Sequence, residues 1–353
     1  MIWSGTGRHS SEYRSFKRGL THLCLGATCL LGISGAAKAD GACKMQELAE
    51  IPIHDEGGQL SLDAAINGRP VRMLLDTGSS ETLLSRAGVK DLGLNAVPLR
   101  GVEFYGVGGK DQAALVPVQE FKLGGLVARK LHIFVTGLHP FGEAVGVVGA
   151  RFLLQTDVEF DVPEGKLRLF KPQNCPGDQV VYWGGAFSVA PMTSSYTQQN
   201  IQVTVHVGAA SVAAVMDTGA DTSILTLESA ARAGLTPQST GVTSDGPTLG
   251  TGRDVMRTYV GIFPSFAFGD ETIKNAKLQF ADLFGADLEN DRLNTRIAHQ
   301  MIQTQMLLGA DFFRSHRVYV SQSQRKVYVT YMGGPVFQTT QSPKAPSAGA
   351  AAK

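Results

Sequence analysis

The stretch Met73-Leu74-Leu75-Asp76-Thr77-Gly78 returns later in the chain as Ala214-Val215-Met216-Asp217-Thr218-Gly219. In both copies an apolar triplet leads into Asp-Thr-Gly, which is the pattern of a buried strand that ends in a turn. One such tripeptide alone means little, because ordinary residue frequencies produce it in roughly one chain in ten of this length. Two copies, each closing an apolar strand, indicate two carboxylates presented by two related half-structures.

The sequence around the two copies also repeats in register. An apolar-apolar-Gly-Ala segment follows each Asp-Thr-Gly, at residues 147–150 and 307–310, and the apolar positions beyond it match in spacing. Short alternating strands separated by Gly-containing turns precede each Asp, which favours an all-β structure. Strand-rich sequences can look alike by chance, but matches without insertions on both sides of two anchors favour an internal duplication.

These residues resemble the aspartic proteases. The segment Asp217–Asp221 is similar to the retroviral version of the catalytic motif, and Leu307–Phe312 to the closing segment of retropepsins. Asp76–Ser80 is closer to the pepsin version, and two lobes on one chain is the pepsin plan, although each lobe here is shorter. The resemblance covers residues 50 to 332. It implies an all-β, bilobal acid-protease fold with two homologous β-barrel-like lobes and an active-site cleft between them.

The resemblance implies that Asp76 and Asp217 form the catalytic pair. Two carboxylates about 3 Å apart cannot both ionise, so one keeps a proton while the other acts as general base on a water molecule. Ser79 could donate to the Asp76 carboxylate, whereas Ala220 has no hydroxyl, so we expect Asp76 to be the charged member. The alternative for each Asp is a turn residue at the end of a strand.

The other residues of the two loops are expected to support this pair. Gly78 and Gly219 allow a tight turn without a Cβ clash. The resemblance implies that the Thr77 and Thr218 hydroxyls form hydrogen bonds across the junction of the lobes.

Glycine-rich segments stand at comparable distances after the two Asp residues. Tyr105-Gly106-Val107-Gly108 resembles the tip of the pepsin flap, and Leu249-Gly250-Thr251-Gly252 has a similar position in the second half. The resemblance therefore implies two flaps, with a plain glycine turn as the alternative at each place. Residues 227–233, which stop at Gly234, predict a short helix, and the polar stretch Asp287–Gln305 predicts a surface helix.

No competing chemistry is evident from the motifs. The chain has no His-Glu-x-x-His and no Gly-x-Ser-x-Gly, and Gly109-Lys110 is followed by Asp111 where a phosphate-binding loop needs Ser or Thr. The eight histidines are scattered, so we expect no metal and no cofactor. A net charge of +1 with 18% charged residues gives no basic stripe, so nucleic acid is not expected as a partner.

The first 39 residues have the composition of a signal peptide. Basic residues precede an apolar stretch from Leu20 to Ala37, and Ala37-Lys38-Ala39 before Asp40 is a signal-peptidase site. We therefore expect cleavage between Ala39 and Asp40, with export to the periplasm or out of the cell. The alternative is a retained anchor that faces the periplasm, and membrane contact is expected only through an uncleaved leader.

Cleavage of the leader would leave Cys43 and Cys175, an even pair that predicts a disulfide in an exported protein. Four segments follow from the sequence: a signal peptide over 1–39, an N-terminal lobe over 40–178, a C-terminal lobe over 179–335 and a disordered tail over 336–353.

Two interpretations of function remain open. The leading one is an exported aspartic endopeptidase that cleaves peptide or protein substrates. The alternative is a non-catalytic peptide-binding module on the same fold. A monomer is expected in both cases, because the internal duplication disfavours a homodimer in which each repeat pairs with its counterpart in another chain.

Overall fold

A computed structural model describes residues 42–107, 109–136, 141–193, 200–249, 255–284 and 304–337, and for residues 105, 109, 110 and 247–249 it describes the backbone alone. The predicted leader, with its cleavage site at Ala39 and Asp40, lies outside these residues. Residues 287–303 of the predicted surface helix also lie outside them. Among the described residues, no helix combines the length and the apolar composition needed to cross a membrane.

The first lobe is built mainly from strands. Its described elements, in chain order, are β1 (Lys44–Glu56), β2 (Gln59–Ile66), β3 (Arg69–Asp76), β4 (Leu83–Leu84), α1 (Arg86–Asp91), β5 (Val97–Gly106), β6 (Gly109–Leu123), β7 (Leu126–Val135), β8 (Gly146–Gly149), α2 (Ala150–Leu153), β9 (Asp157–Asp161), a 3₁₀ helix (Val162–Glu164) and β10 (Lys166–Gln173).

The linker and the second lobe continue the same plan. Their described elements are a 3₁₀ helix (Gly177–Val180), β11 (Ser188–Pro191), β12 (Gln202–Val207), β13 (Ala210–Met216), β14 (Ile224–Thr226), α3 (Leu227–Arg232), β15 (Thr243–Leu249), β16 (Val255–Phe268), β17 (Glu271–Ala281), β18 (Met306–Leu308), α4 (Ala310–Phe313), β19 (His316–Ser321) and β20 (Lys326–Tyr331).

Each lobe is a six-stranded barrel with the same strand order. In the first lobe the order is β2-β3-β8-β4-β7-β6, closed by pairing of β6 with β2. In the second it is β12-β13-β18-β14-β17-β16, closed by pairing of β16 with β12. The parallel pairs also correspond, β3 with β8 as β13 with β18, and β4 with β7 as β14 with β17. The predicted bilobal all-β acid-protease fold is confirmed.

Period-two patterning explains why the barrels close around a core. In β12 the alternating residues Val203, Val205 and Val207 are fully buried, whereas Thr204 and His206 between them are exposed. Each fully buried side chain of this size contributes about 1.5–3 kcal/mol relative to an exposed one. The same alternation sets the register of the strand, because a shift by one residue would move every valine to the solvent face.

A joint sheet connects the lobes, with the strand order β11-β20-β19-β9-β10-β1. Its central contact is the antiparallel pair of β9 from the first lobe and β19 from the second, in which Val318 lies opposite Phe160. Cys43 and Cys175 form a disulfide beside the end of the β1–β10 pair, with their Cα atoms 4.4 Å apart. The boundary expected between residues 178 and 179 falls inside the 3₁₀ helix Gly177–Val180, which belongs to the linker.

The second lobe extends further than the sequence suggested. Phe337, which we assigned to the disordered tail from residue 336, is buried against Phe266 with ring centroids 4.8 Å apart, and it also stacks near Phe312. The segment around it is rich in Gly and Pro, which is typical of a disordered tail, but its aromatic side chain packs in the core. Residues 338–353 of the predicted tail lie outside the described part of the chain.

Candidate active site

The two Asp-Thr-Gly copies meet where equivalent barrel strands end. Asp76 is the last residue of β3 and lies opposite Gly149 in the parallel pair with β8. Asp217 follows β13, and its amide donates to the Leu308 carbonyl of β18 at 2.8 Å. The apolar triplets before both Asp residues are buried. Each triplet therefore anchors its strand in the core and delivers the loop that follows to the junction of the lobes.

Four reciprocal hydrogen bonds join the two loops. The Thr77 amide donates to the Thr218 hydroxyl and the Thr218 amide to the Thr77 hydroxyl, both at 3.0 Å. The Thr77 hydroxyl in turn donates to the Met216 carbonyl at 2.7 Å, and the Thr218 hydroxyl to the Leu75 carbonyl at 2.8 Å. Both threonines are buried. Each hydroxyl accepts one hydrogen bond and donates another across the junction, so these bonds fix the two loops to each other.

The glycines of the two loops leave room for the carboxylates. A Cβ atom on Gly78 would overlap the Asp217 carboxylate, and a Cβ atom on Gly219 would come within 2.5 Å of the Asp76 carboxylate. Each Asp side chain is therefore packed against the loop of the other lobe. The two carboxyl groups lie close enough for each to shift the pKa of the other through charge and hydrogen bonding.

The two carboxylates accept different sets of hydrogen bonds from backbone amides. The Ser79 amide donates to Asp76 Oδ1 at 2.9 Å, while Asp217 Oδ1 accepts from the Gly219 amide at 2.9 Å and from the Ala220 amide at 3.3 Å. The Ser79 hydroxyl, which we expected to donate to Asp76, donates to the Glu81 carbonyl at 2.8 Å instead. The reason for expecting the charge on Asp76 is therefore removed. The amides around Asp217 favour the charge there.

Burial raises the pKa of both carboxyl groups above the usual range. For Asp76 the raising effect of burial is reinforced by the negative charge of Asp217. For Asp217 burial also raises the pKa, but the Gly219 amide and the hydrogen bond with Asp76 oppose the shift. Because the charge of Asp217 raises the pKa of Asp76 while hydrogen bonds oppose the shift at Asp217, these effects favour the retained proton on Asp76 and the charge on Asp217.

A family model described as aspartyl protease matches residues 62–152 and 201–312. The two matched regions correspond to the two barrels, contain both Asp-Thr-Gly copies and together cover more than half of the chain. The chain belongs to the aspartyl protease family. A comparison with curated proteins gives no match.

The apolar-apolar-Gly-Ala segments of this aspartyl protease brace the Asp loops from behind. The Gly149 amide donates to the Thr82 hydroxyl at 3.2 Å, and the Gly309 amide to the Ser223 hydroxyl at 2.9 Å. A Cβ atom on either glycine would collide with the backbone of the loop in front of it. In each lobe the apolar-apolar-Gly-Ala segment therefore supports the Asp-Thr-Gly loop of the same lobe.

Asp311 is a buried carboxylate that the sequence reading did not single out. It accepts from the Ser223 hydroxyl at 2.6 Å and from the Ser223 amide at 2.9 Å. Burial raises the pKa of Asp311 to about 6, against the lowering effect of these hydrogen bonds. The equivalent residue of the first lobe is Arg151, which pairs with Glu81 at 2.9 Å. The supports of the two Asp loops therefore differ in charge.

Strands β5 and β6 form an antiparallel pair at the residues expected for the first flap. In this pair Tyr105 lies opposite Lys110 and Gly106 opposite Gly109. Gly108 lies outside the described residues, as do Gly250 and Gly252, which belong between β15 and β16 of the second lobe. The structure therefore places an antiparallel strand pair at each expected flap, and in the first it describes Val107 next to the expected tip.

Two small apolar clusters lie apart from the main core, one in each lobe. Val107 of the first lobe packs against a cluster of the second lobe that contains Val215, Ile224 and Leu307. The matching cluster of the first lobe contains Leu74, Leu83, Ala144 and Val147. Val215 and Leu74 each stand two residues before the Asp of an Asp-Thr-Gly copy, so each cluster lies beside one Asp loop.

The described residues contain no group of three or more His, Cys, Asp or Glu side chains that could hold a metal ion. His316 is buried; its Nδ1 donates to the Phe312 carbonyl at 2.7 Å, and its Nε2 pairs with Glu271 at 2.9 Å.

Proposed function

We propose that this aspartyl protease is an exported endopeptidase in which Asp76 and Asp217 activate a water molecule for attack on a peptide bond. The single observation that supports this proposal is the convergence of two equivalent loops, each carrying its carboxyl group against the glycine of the other. Family membership supports a protease-like function.

The chemistry follows from the different surroundings of the two carboxyl groups. The Asp217 carboxylate takes a proton from water, whose oxygen bonds to the peptide carbonyl carbon, while the Asp76 carboxyl group donates its proton to the carbonyl oxygen. The tetrahedral intermediate then collapses: the proton on Asp217 passes to the leaving nitrogen, the C–N bond breaks and Asp76 recovers its proton. Atoms and charge balance, and the pair returns to its starting state.

The apolar clusters beside the pair suggest the kind of peptide that would bind. Leu74, Leu83 and Val147 belong to the cluster of the first lobe, and Val215, Ile224 and Leu307 to that of the second. We propose that the peptide residues on both sides of the cleaved bond carry large apolar side chains, because the side chains beside the two Asp loops are apolar.

Export is proposed from the leader and supported by the disulfide. Disulfides form and persist in oxidising compartments such as the bacterial periplasm and are rare in the cytosol. The Cys43–Cys175 bond closes the end of the β1–β10 pair, as would suit a protein that folds after export.

A cleavage assay tests the proposal. Protein that begins at Asp40 is incubated with a peptide library that varies the residues around each bond, with and without pepstatin, and products are identified by mass spectrometry. We expect cleavage between apolar residues that pepstatin inhibits and that Asp217→Asn abolishes. Peptides that bind to the wild type and to Asp217→Asn alike, without cleavage by either, would instead identify a peptide-binding module.

A further inference from the structure

One arginine outside the Asp loops forms hydrogen bonds with both lobes. Arg314 follows α4, and its guanidinium group holds the Asp55 carboxylate with two bonds, Nε to Oδ2 at 2.9 Å and Nη2 to Oδ1 at 3.1 Å. The same group donates to the Gly58 carbonyl at 2.6 Å and to Asp221 Oδ1 at 3.1 Å. The planar fork of arginine allows these bonds to be made at once.

The partners of Arg314 belong to different lobes. Asp55 and Gly58 flank the turn between β1 and β2 in the first lobe, and Asp221 lies in the Asp217 loop of the second. Gly58 has φ +90°, and a Cβ atom there would come within 2.7 Å of the Asp221 carboxylate. The first-lobe hairpin therefore packs directly on the loop that carries Asp217, and Arg314 fills the corner between them.

The first lobe differs at the equivalent positions. Ser80 stands where the second lobe has Asp221, and Leu154 stands where it has Arg314, counted from the Asp-Thr-Gly and from Gly149. The Asp76 loop is held by Arg151, which pairs with Glu81 of the same loop. Arg314 thus makes the two halves of the cleft unequal in how their loops are held.

A short chain of contacts leads from Arg314 through Asp221 to the Asp217 carboxylate. Asp221 directly follows Ala220, whose amide donates to Asp217 Oδ1 at 3.3 Å. The Ala220 carbonyl accepts from the Ala310 amide at 2.7 Å, which lies in the helix that precedes Arg314. A displacement of Asp221 would therefore move the amides that favour the charge on Asp217.

We propose that Arg314 is a positioning residue that fixes the Asp217 loop against the β1–β2 hairpin of the first lobe and so keeps Asp217 in register with Asp76. This inference rests on the proposed peptidase function. Arg314 touches neither carboxyl group of the pair and acts through Asp221.

The kinetic test uses Arg314→Met, Arg314→Lys and Asp55→Asn, with Arg129→Met as the matched control. Arg129 pairs with Glu120 at 3.1 Å on the surface of the first lobe, so the control removes an arginine of a similar ion pair. The substrate is a fluorogenic peptide chosen from a library by wild-type cleavage. We expect Arg314→Met to lower kcat on the order of 10²-fold, because a small misplacement of a catalytic group has effects of this size.

The pattern among the variants separates positioning from general destabilisation. In Arg314→Met the KM should change little, and Arg314→Lys should retain part of kcat. The double variant Asp55→Asn with Arg314→Met should be no worse than Arg314→Met alone, because both substitutions act through one contact. The acidic limb of the pH–rate profile should move to higher pH in Arg314→Met, since the charge on Asp217 loses support. An unchanged kcat and pH profile in folded Arg314→Met would overturn the proposal.

Hydrogen exchange gives a readout that does not need activity. In Arg314→Met and in Asp55→Asn, amides of residues 217–223 and 55–60 should exchange faster than in wild type, while those of the Asp76 loop and all amides of Arg129→Met should not. Unchanged exchange in residues 217–223 would overturn the role of Arg314. A wild-type protein that cleaves no peptide would refute the proposed function, and the exchange result would still decide whether Arg314 positions the loop.

Discussion

At the scale of single residues, the two aspartates lie in one buried environment but accept different hydrogen bonds. Both side chains lie against the opposite loop, and burial raises the pKa of both. Asp217 accepts from the Gly219 and Ala220 amides within 3.3 Å, and Asp76 accepts from the Ser79 amide at 2.9 Å. Nearly symmetric loops thus give an asymmetric pair, which is what a mechanism with one acid and one base requires.

Replacement of either aspartate by asparagine should abolish cleavage. Asp76→Asn removes the proton donor and Asp217→Asn removes the base, so each should lower kcat by several orders of magnitude. The double variant should be barely worse than either single variant, because residues that act as a unit are not additive. Asp63→Asn, which changes an exposed carboxylate of β2, is the control in the same assay. Cleavage that persists in Asp217→Asn would show that the second lobe is structural.

The same pair should make stability depend on pH. Because the folded-state pKa of Asp76 is raised, its contribution is fully present below the unfolded pKa of about 3.9 and is lost as the pH rises through the folded pKa. Asp76→Asn lacks this loss. It should match the wild type near pH 3 and exceed it by roughly 1–3 kcal/mol above the folded pKa. Urea unfolding of both proteins across this range measures the difference, and a difference independent of pH would contradict the prediction.

At the scale of structural elements, the loop junction depends on hydroxyls that are both donors and acceptors. In Thr77→Val the shape is kept, but the Thr218 amide and the Met216 carbonyl each lose a buried partner. Each unpaired group costs about 1–3 kcal/mol, so the free energy of unfolding should fall by more than a surface change would cause. Thr77→Ser keeps the hydroxyl and should lose much less.

Thermal and urea unfolding of both Thr77 variants check this expectation, with Thr204→Val as the control because Thr204 of β12 is exposed. Equal stability of Thr77→Ser and Thr77→Val would mean that the methyl packing, and not the hydrogen bonds, holds the loops together.

The elements that sequence could predict are those whose signal is local. The helix predicted from residues 227–233 is α3, which begins after the Thr226 cap and is followed by Gly234 at φ +98°. Its counterpart α1 was not predicted, because Gly88 lowers helix propensity. The structure gives the reason for Gly88: a Cβ atom there would collide with the Val145 backbone.

The features that sequence could not predict depend on neighbours distant in the chain. The Ser79 hydroxyl had two acceptors within reach, and only the folded loop directs it to Glu81. The contact of Val107 with the second lobe and the position of Phe337 beside Phe266 likewise join segments far apart. Local pattern located both carboxylates, whereas the contacts that tune them are tertiary.

At the scale of the whole molecule, buried charges connect the lobes behind the cleft. Asp161 of β9 accepts from Arg317 of β19 at 2.6 Å and from Arg168 of β10 at 3.2 Å, and all three lie in the joint sheet. Arg317 also lies 5.4 Å from the Trp183 ring of the linker. A buried ion pair of this kind contributes little net stability. We therefore interpret it as an interaction that sets the register between β9 and β19.

The disulfide acts on the same scale, because it encloses the whole first lobe. Cys43 and Cys175 are separated by 132 positions, and a bridge over a loop of this length stabilises by about 2–5 kcal/mol. Cys43→Ser with Cys175→Ser should therefore unfold at lower temperature than the wild type. Protein that begins at Asp40 contains no other cysteine, so a reductant should lower the wild-type midpoint toward that of the variant and leave the variant unchanged. Alkylation before reduction provides the check, since two freely reactive thiols in oxidised protein would contradict the bridge.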